Sequence, residues 1–322
     1  MADELLRAIQ NIYDEPSAHK VACVQSLWSG YGEIARYALP MKGTTCIAKH
    51  INLKAVDEHP RGWNTQASHQ RKVSSYYNEQ TFYQSYAQAT TADCRVPSLV
   101  STQASADSIW IIMEDLDASG FDLRNSKANV ATTSQCIVWL AHFHAAFINK
   151  DISTLWPIGT YWHFATRQDE WQQMPESELK QSAPLLDARL NNAAFQTLLH
   201  GDAKLANFCF SQNNDHVAAV DFQYTGKGCG IKDVVYLLGS CFSDNELFAH
   251  SDDMIHAYFT ALHHAIGSKL SDSQKHLLER EWRDLEKFAW ADFERFLVGW
   301  SPGHHKLSVY SEEQTSKALL SL

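Results

Sequence analysis

The chain has 322 residues, 45% of them hydrophobic, enough to bury one large core or two lobes. A formal net charge of −10 argues against a nucleic-acid footprint, and no apolar run approaches the length of a membrane span. Seven scattered cysteines, odd in number and without a Cys-x-x-Cys pair, fit a reducing compartment better than a disulfide framework.

The opening Met-Ala-Asp3-Glu4-Leu-Leu-Arg7 carries acids where a secretion signal would carry bases, so the expected location is the cytoplasm. After a short helix there, the pattern predicts three strands over 21–28, 33–39 and 45–51. Turns fall at Ser29-Gly30-Tyr31-Gly32 and Pro40-Met-Lys-Gly43. Residues 54–67, with Pro60, Gly62 and Asn64, read as loop. Val73, Tyr76, Tyr83 and Ala87 set a helical period over 69–88, and two more strands follow over 95–103 and 109–113. Beyond Leu116 the period lengthens, with amphipathic helices expected over 128–149, 176–193, 245–266 and 273–300. The break falls between Glu114 and Gly120, which divides the chain into a small lobe of 1–115 and a helical lobe of 116–322. A cleft between two such lobes is the usual place for a ligand.

The most informative stretch is His200-Gly201-Asp202-Ala-Lys204-Leu-Ala-Asn207, followed by Asp221-Phe222-Gln223. An Asp, an Asn five positions later and a second Asp beyond a short hairpin form the polar layout that phosphoryl transfer requires. One carboxylate, Asp202, orients the attacking hydroxyl and receives its proton, while Asn207 and Asp221 hold magnesium on the nucleotide phosphates. Magnesium prefers hard oxygen ligands, which these two residues supply. Apolar runs over 196–199 and 217–220 end directly at the polar residues, as buried strands do when they deliver side chains to a cleft. Lys49, near the end of the third strand, is placed to meet phosphates if a carboxylate holds it. Glu79 is the candidate holder, since it shares a helix face with Tyr76 and Tyr83, and Glu58 is the rival. Gly30 and Gly32 lie ahead of Lys49, where their backbone could cradle phosphates. No Gly-x-x-x-x-Gly-Lys-Ser/Thr stretch exists, so a Walker-type site is not supported.

His-Gly-Asp-x-x-x-x-Asn followed by Asp-Phe-Gln resembles the small-molecule branch of the protein-kinase-like superfamily. That branch includes aminoglycoside phosphotransferases, choline kinases and ecdysteroid-kinase-like proteins. The last group is the nearest, because Asp221-Phe222-Gln223 and Met113-Glu114-Asp115-Leu116 are similar to its motifs. The resemblance implies an α+β, bilobal kinase-like fold that uses ATP and Mg2+ to phosphorylate a hydroxyl of a small molecule. It also implies that Lys49 and Glu79 clamp the α and β phosphates, that Glu114 and Leu116 contact the nucleotide, and that Lys204 helps neutralise the γ-phosphate. Asp233, which reads as a helix N-cap, braces the catalytic loop in such proteins. His200 is expected to order that loop through backbone hydrogen bonds.

Two alternatives stand beside this reading. A non-catalytic nucleotide-binding scaffold is disfavoured because Lys49, Asp202, Asn207 and Asp221 are all present. A protein kinase is disfavoured by Gly201, which replaces the arginine that grips a phosphorylated activation segment, and by the short stretch from Asp221 to Asp233. Gln223, in place of a flexible glycine, argues against an in/out switch. The expected partner is a small alcohol, with no nucleic acid or membrane, and the protein a monomer or homodimer.

Histidine spacing supports no metal centre: His142 and His144 point to different helix faces, and His263-His264 and His304-His305 are adjacent pairs. The acceptor is expected against the aromatic segments 156–162 and 282–300. On the second, Trp282, Leu285, Ala289, Phe293, Phe296 and Trp300 form a core stripe, and Trp290, Asp292 and Glu294 fall off it as candidate acceptor contacts, with Tyr161 and Trp162 as the fallback. Choline and aminoglycoside kinases take cationic acceptors and ecdysteroid-kinase-like proteins apolar alcohols, so both classes stay open.

Overall fold

The computed structural model describes residues 2–27, 30–54 and 66–322. Helix α1 (Ala2–Tyr13) leads into strands β1 (His19–Ser26), β2 (Gly32–Leu39) and β3 (Thr44–Asn52). Helix α2 (Gln66–Ser85) follows, then β4 (Leu99–Ala104) and β5 (Ser108–Glu114). The five strands form one antiparallel sheet in the order β1-β2-β3-β5-β4.

Period-two alternation decides what each face carries. Ala35, Tyr37, Cys46, Ala48, Trp110 and Ile112 turn to one side and bury Leu5 and Ile9 of α1. The alternate residues Ile51, Ile109, Ile111 and Met113 turn to the other and join Tyr76, Phe82 and Tyr83 of α2 in the main core. Lys49 has the parity of Ile47 and Ile51, so the strand aims it at α2.

The rest is mainly helical: α3 (Val130–Phe147), α4 (Gln168–Gln173), α5 (Glu178–Asn191), α6 (Ile231–Cys241), α7 (Asp244–Ile266), α8 (Asp272–Trp300) and α9 (Val309–Leu319). Four three-residue strands interrupt it: β6 (Thr197–Leu199), β7 (Phe208–Phe210), β8 (Val217–Ala219) and β9 (Gly226–Gly228), pairing β6 with β9 and β7 with β8. These ladders present the loops 200–207 and 220–225 side by side. Among the described residues no helix is long and apolar enough to cross a membrane.

One aromatic contact locks the two parts together where it matters. Phe82 of α2 stacks on Phe222 at 4.0 Å between ring centroids, and Phe222 lies 4.7 Å from the His200 ring. Burying one such ring contributes about 1.5–3 kcal/mol, so α2 and both loops are fixed to a common core.

The strand expected over 95–103 begins only at Leu99. Pro97 supplies no backbone N–H for a ladder, and Arg95 pairs instead with Ala218 of β8. The expected loop 54–67 includes Glu58, which lies outside the described residues.

Candidate active site

Residues of both parts line a cavity of about 780 Å³ that contains Lys49, Glu79, Asp202, Lys204, Asn207 and Asp221. That is within the usual range for a ligand site, ~300–1,000 Å³.

Lys49 meets Glu79 as the strand parity requires: Nζ lies 2.6 Å from Oε2, with both side chains buried. Burial alone would lower the lysine, but Glu79 and Asp221 outweigh it and hold the ammonium above its ordinary value. Nζ is also 3.7 Å from Asp221 Oδ1. A permanent cation is therefore seated between α2 and the loop that carries Asp221.

Asp202 projects from the end of β6, and both its oxygens are occupied. Oδ1 accepts from the Tyr236 hydroxyl at 3.0 Å, and Oδ2 accepts from Lys204 Nζ at 2.8 Å and Asn207 Nδ2 at 3.1 Å. Three donors from two elements fix the carboxylate at the cavity wall. Asn207 also donates to the Asp202 carbonyl at 2.8 Å, which leaves its own Oδ1 free of those bonds. Asp221 sits at φ 71°, a left-handed conformation that Asp tolerates and that residues seldom adopt without constraint. Burial raises its carboxyl, but Lys49, Lys204 and Lys72 together pull it down to about 2. An ionised carboxylate and a free amide oxygen beside it form a hard oxygen donor set, which suits magnesium.

The second layer explains the rigidity. The His200 Nδ1 accepts from the Asp202 N–H at 3.3 Å, so the ring proton resides on Nε2, which donates to the Val220 carbonyl at 3.1 Å. Burial keeps this imidazole below its ordinary value, so it acts as the expected loop brace. Asp233 is not the N-cap of α6, a place that Gly230 holds. Its carboxylate, one turn inside, accepts from His200 N at 2.6 Å and Gly201 N at 3.0 Å, and His144 Nε2 is 3.2 Å away. Gly201 has its own requirement: φ is 81°, and a Cβ there would lie 2.0 Å from the Tyr224 carbonyl oxygen. Gln223 donates to Asp221 Oδ1 and accepts from Lys72 Nζ at 2.8 Å, so it tethers the Asp221 loop to α2.

Glu114 and Leu116 both line the cavity. Glu114 is paired with Arg95, and Leu116 packs with Cys209 and Ala218. Gly30 and Gly32 do not line it, and the hairpin reaches the cavity through Leu27 and Tyr31. Gly32 answers to its backbone, since φ is 135° and a Cβ would meet the His50 carbonyl oxygen at 2.0 Å.

The candidate acceptor contacts on α8 are corrected. Asp292 is fully buried, taking Arg295 Nη2 at 2.6 Å and Trp162 Nε1 at 3.1 Å, with Lys232 at 3.4 Å. Trp290 packs on Tyr310 of α9, and Glu294 turns toward Ser311 and Thr315 of the same helix. None of the three lines the cavity, because α9 and α6 cover the face that the amphipathic pattern left outside. Phe296 and Trp300 from the stripe do line it, with Tyr161 from the fallback segment, while Trp162 is core. Sequence reasoning missed Tyr236, although it stands three residues after Asp233 on one face of α6. Arg71, Lys72 and Arg167 were missed too, and no local pattern marks them.

The sequence model of the ecdysteroid kinase-like family matches residues 162–269, which hold Asp202, Asn207, Asp221 and Asp233. No curated protein sequence matches. Among solved structures, the chain is similar to a microcompartment-associated aminopropanol kinase, with 14% identity, TM-score 0.52, and 99% of this chain and 94% of that one covered. It is also similar to an aminoglycoside phosphotransferase from Streptomyces rimosus, solved with ADP and streptomycin, with 12% identity, TM-score 0.51, and 88% and 98% covered. These likenesses establish the fold that the motif resemblance implied, over nearly the whole chain.

Proposed function

We propose that this protein is an ATP- and magnesium-dependent phosphotransferase acting on a hydroxyl group of a small molecule. The observation that carries the proposal is the Asp202 carboxylate, held by three donors in the same cavity as the Lys49–Glu79 pair and Asp221.

The roles follow from position. Lys49, kept cationic by Glu79, binds the α and β phosphates of the nucleotide. Its adenine would lie among the apolar lining residues Leu27, Met113, Leu116 and Cys209, with Glu114 also in the lining. Asn207 Oδ1 and Asp221 would hold magnesium. Bound there, the ion neutralises charge on the phosphate oxygens. Asp202 orients the acceptor hydroxyl and takes its proton as the oxygen bonds to the γ-phosphorus. The bond from that phosphorus to the bridging oxygen breaks, and ADP leaves with that oxygen. Lys204, already 2.8 Å from Asp202, faces the transferred group and offsets its charge. Gln223 and Asp233 hold the two loops without touching the reacting atoms.

ADP release over a panel of alcohols tests the reading. Turnover that needs Mg2+ and disappears in Asp202→Asn upholds it. Tight Mg-ATP binding with no turnover on any alcohol would favour the non-catalytic scaffold.

A further inference from the structure

The cavity has two chemically distinct ends. At the nucleotide end its carboxylates are matched by cations: Glu79 by Lys49, Glu114 by Arg95, and Asp115 and Asp117 by Arg36. On the far side of Asp202 the balance reverses. Arg71, Lys72 and Arg167 also line the cavity; Lys72 acts on the lining carboxylates Glu79 and Asp221, whereas among the described residues no lining carboxylate is ion-paired with Arg71 or Arg167.

The carboxylates that partner the two arginines lie behind them. Glu170 is 1% exposed, with Oε1 2.7 Å from Arg167 Nη1 and 3.6 Å from Arg71 Nη2. Asp169 also acts on Arg71, and neither acid lines the cavity. Lys72 donates to a neutral partner, the Gln223 amide oxygen, though its charge also reaches Glu79 and Asp221. The cavity wall here therefore presents the Arg71 and Arg167 guanidinium groups, while their acids, Glu170 and Asp169, do not line it. Arg167 Nε and Nη1 are used by the Tyr161 carbonyl and Glu170, leaving Nη2 without an acceptor among the described residues. The Tyr224 phenol registers the same field. Burial raises it, yet Lys72, Arg167 and Arg71 together draw it below its ordinary value.

An aromatic surface links this end to the base. Tyr236, bonded to Asp202, has its ring 5.7 Å from Tyr161, which is 5.5 Å from Phe296. Phe296 stacks on Trp300 at 5.4 Å, and the Arg167 guanidinium carbon lies 5.1 Å from the Phe296 ring centroid. A molecule lying along these rings would place one end at Asp202 and the other at Arg71 and Arg167.

Resting on the phosphotransferase reading, we infer that the acceptor is an alcohol with an aromatic or polycyclic body and an anionic group, a carboxylate or sulfate, bound by Arg71 and Arg167. Cationic acceptors are selected against, because an ammonium there would meet two guanidinium groups, and among the described residues no lining carboxylate pairs with them. Arg167 Nη2 is the donor left for the anion, and Arg71, whose Nη1 and Nη2 donate to the Thr166 carbonyl and Ser68 Oγ, adds its fixed charge.

Three matched probes test this: para-(hydroxymethyl)benzoate, para-methylbenzyl alcohol and para-(aminomethyl)benzyl alcohol. Each is assayed for ADP release, and for binding to the protein with magnesium and a non-hydrolysable ATP analogue through tryptophan fluorescence, since Trp300 lines the cavity. The carboxylate is expected to exceed the neutral probe in kcat/KM and affinity by about tenfold, the effect of one hydrogen bond to a charged group, and the amine to come last. Arg71→Gln and Arg167→Gln should each collapse the carboxylate-to-neutral ratio toward one. If Arg167→Gln unfolds, as circular dichroism would show, Arg71→Gln decides. Preference for the amine, equal treatment of the three, no binding of any, or a ratio unchanged in the variants overturns the inference. The expected binding order without turnover on any probe keeps the anion site and overturns the phosphotransferase reading instead.

Discussion

The loop from His200 to Asn207 and helix α8 were both marked by polar residues set among apolar ones, yet the fold treats them in opposite ways. In the loop, Asp202, Lys204 and Asn207 all face the cavity, because a three-residue strand enters it and α6 holds it through Asp233, Tyr236 and Ser240. In α8, Asp292 and Glu294 turn into protein, because α4, α5, α6 and α9 all pack against this helix. A polar residue at a strand end is displayed by the chain's own geometry. On a helix covered on several sides, a polar residue is displayed only if no neighbour arrives.

Substitutions at matched positions sharpen the contrast. Asp202→Asn is expected to lower turnover by about 10²–10⁴-fold, the range for a lost positioned base, with little change in melting temperature or Mg-ATP affinity. Wild-type ADP release from that variant would remove Asp202 from the chemistry. Asp221→Ala should abolish magnesium-dependent nucleotide binding in calorimetry, and unchanged affinity would move the metal site elsewhere. Asp292→Asn should do the reverse of Asp202→Asn. It strands Arg295 and Lys232 in the core, and breaking such a pair costs about 3–5 kcal/mol in denaturant unfolding, while activity per folded molecule persists. A raised acceptor KM with unaltered stability would restore the binding role withdrawn from α8.

Tyr236→Phe removes one of three donors to Asp202, and a loss in kcat of about 10–100-fold is expected, since a hydrogen bond to a charged group is worth about 1.5–3 kcal/mol. The smallest effect concerns Glu286 of α8, which burial first, then Asp252, pushes up to about 7, against the opposing charges of Arg283 and Lys317. A carboxyl with a raised folded value favours folding while protonated. That advantage is complete below its ordinary value of 4.5 and is lost as pH rises through 7. Glu286→Gln should therefore raise the melting temperature relative to wild type at pH 8, with the gain fading as pH falls below 5. An equal shift at both pH values would contradict this burial.

Much of the site was legible because its parts are close in sequence and lie on simple periods. Asp202, Lys204 and Asn207 occupy one loop, Asp221 follows a paired strand, and Lys49 has the parity of Ile47 and Ile51. Glu79 shares its helix face with Tyr76 and Tyr83, so even this partner thirty residues away was readable. Asp233 was found, and the brace that the resemblance implied is present in its bonds to His200 and Gly201, while the N-cap reading failed because Gly230 holds that place.

The sequence by itself therefore determined the two-part architecture, the strand and helix periods and the polar set for phosphoryl transfer, all of which depend on neighbours a few bonds or one helical turn apart. Tertiary structure alone decided the proposed acceptor end. Arg71, Lys72, Arg167, Tyr224 and Trp300 come from α2, the segment before α4, the loop after β8 and the last residue of α8, and they meet because Phe82, Phe222 and the α8 core pack those elements together. Whether a charge on one helix faces solvent, a buried acid or a ligand depends on which other surfaces are buried beside it, and that is a property of the whole core.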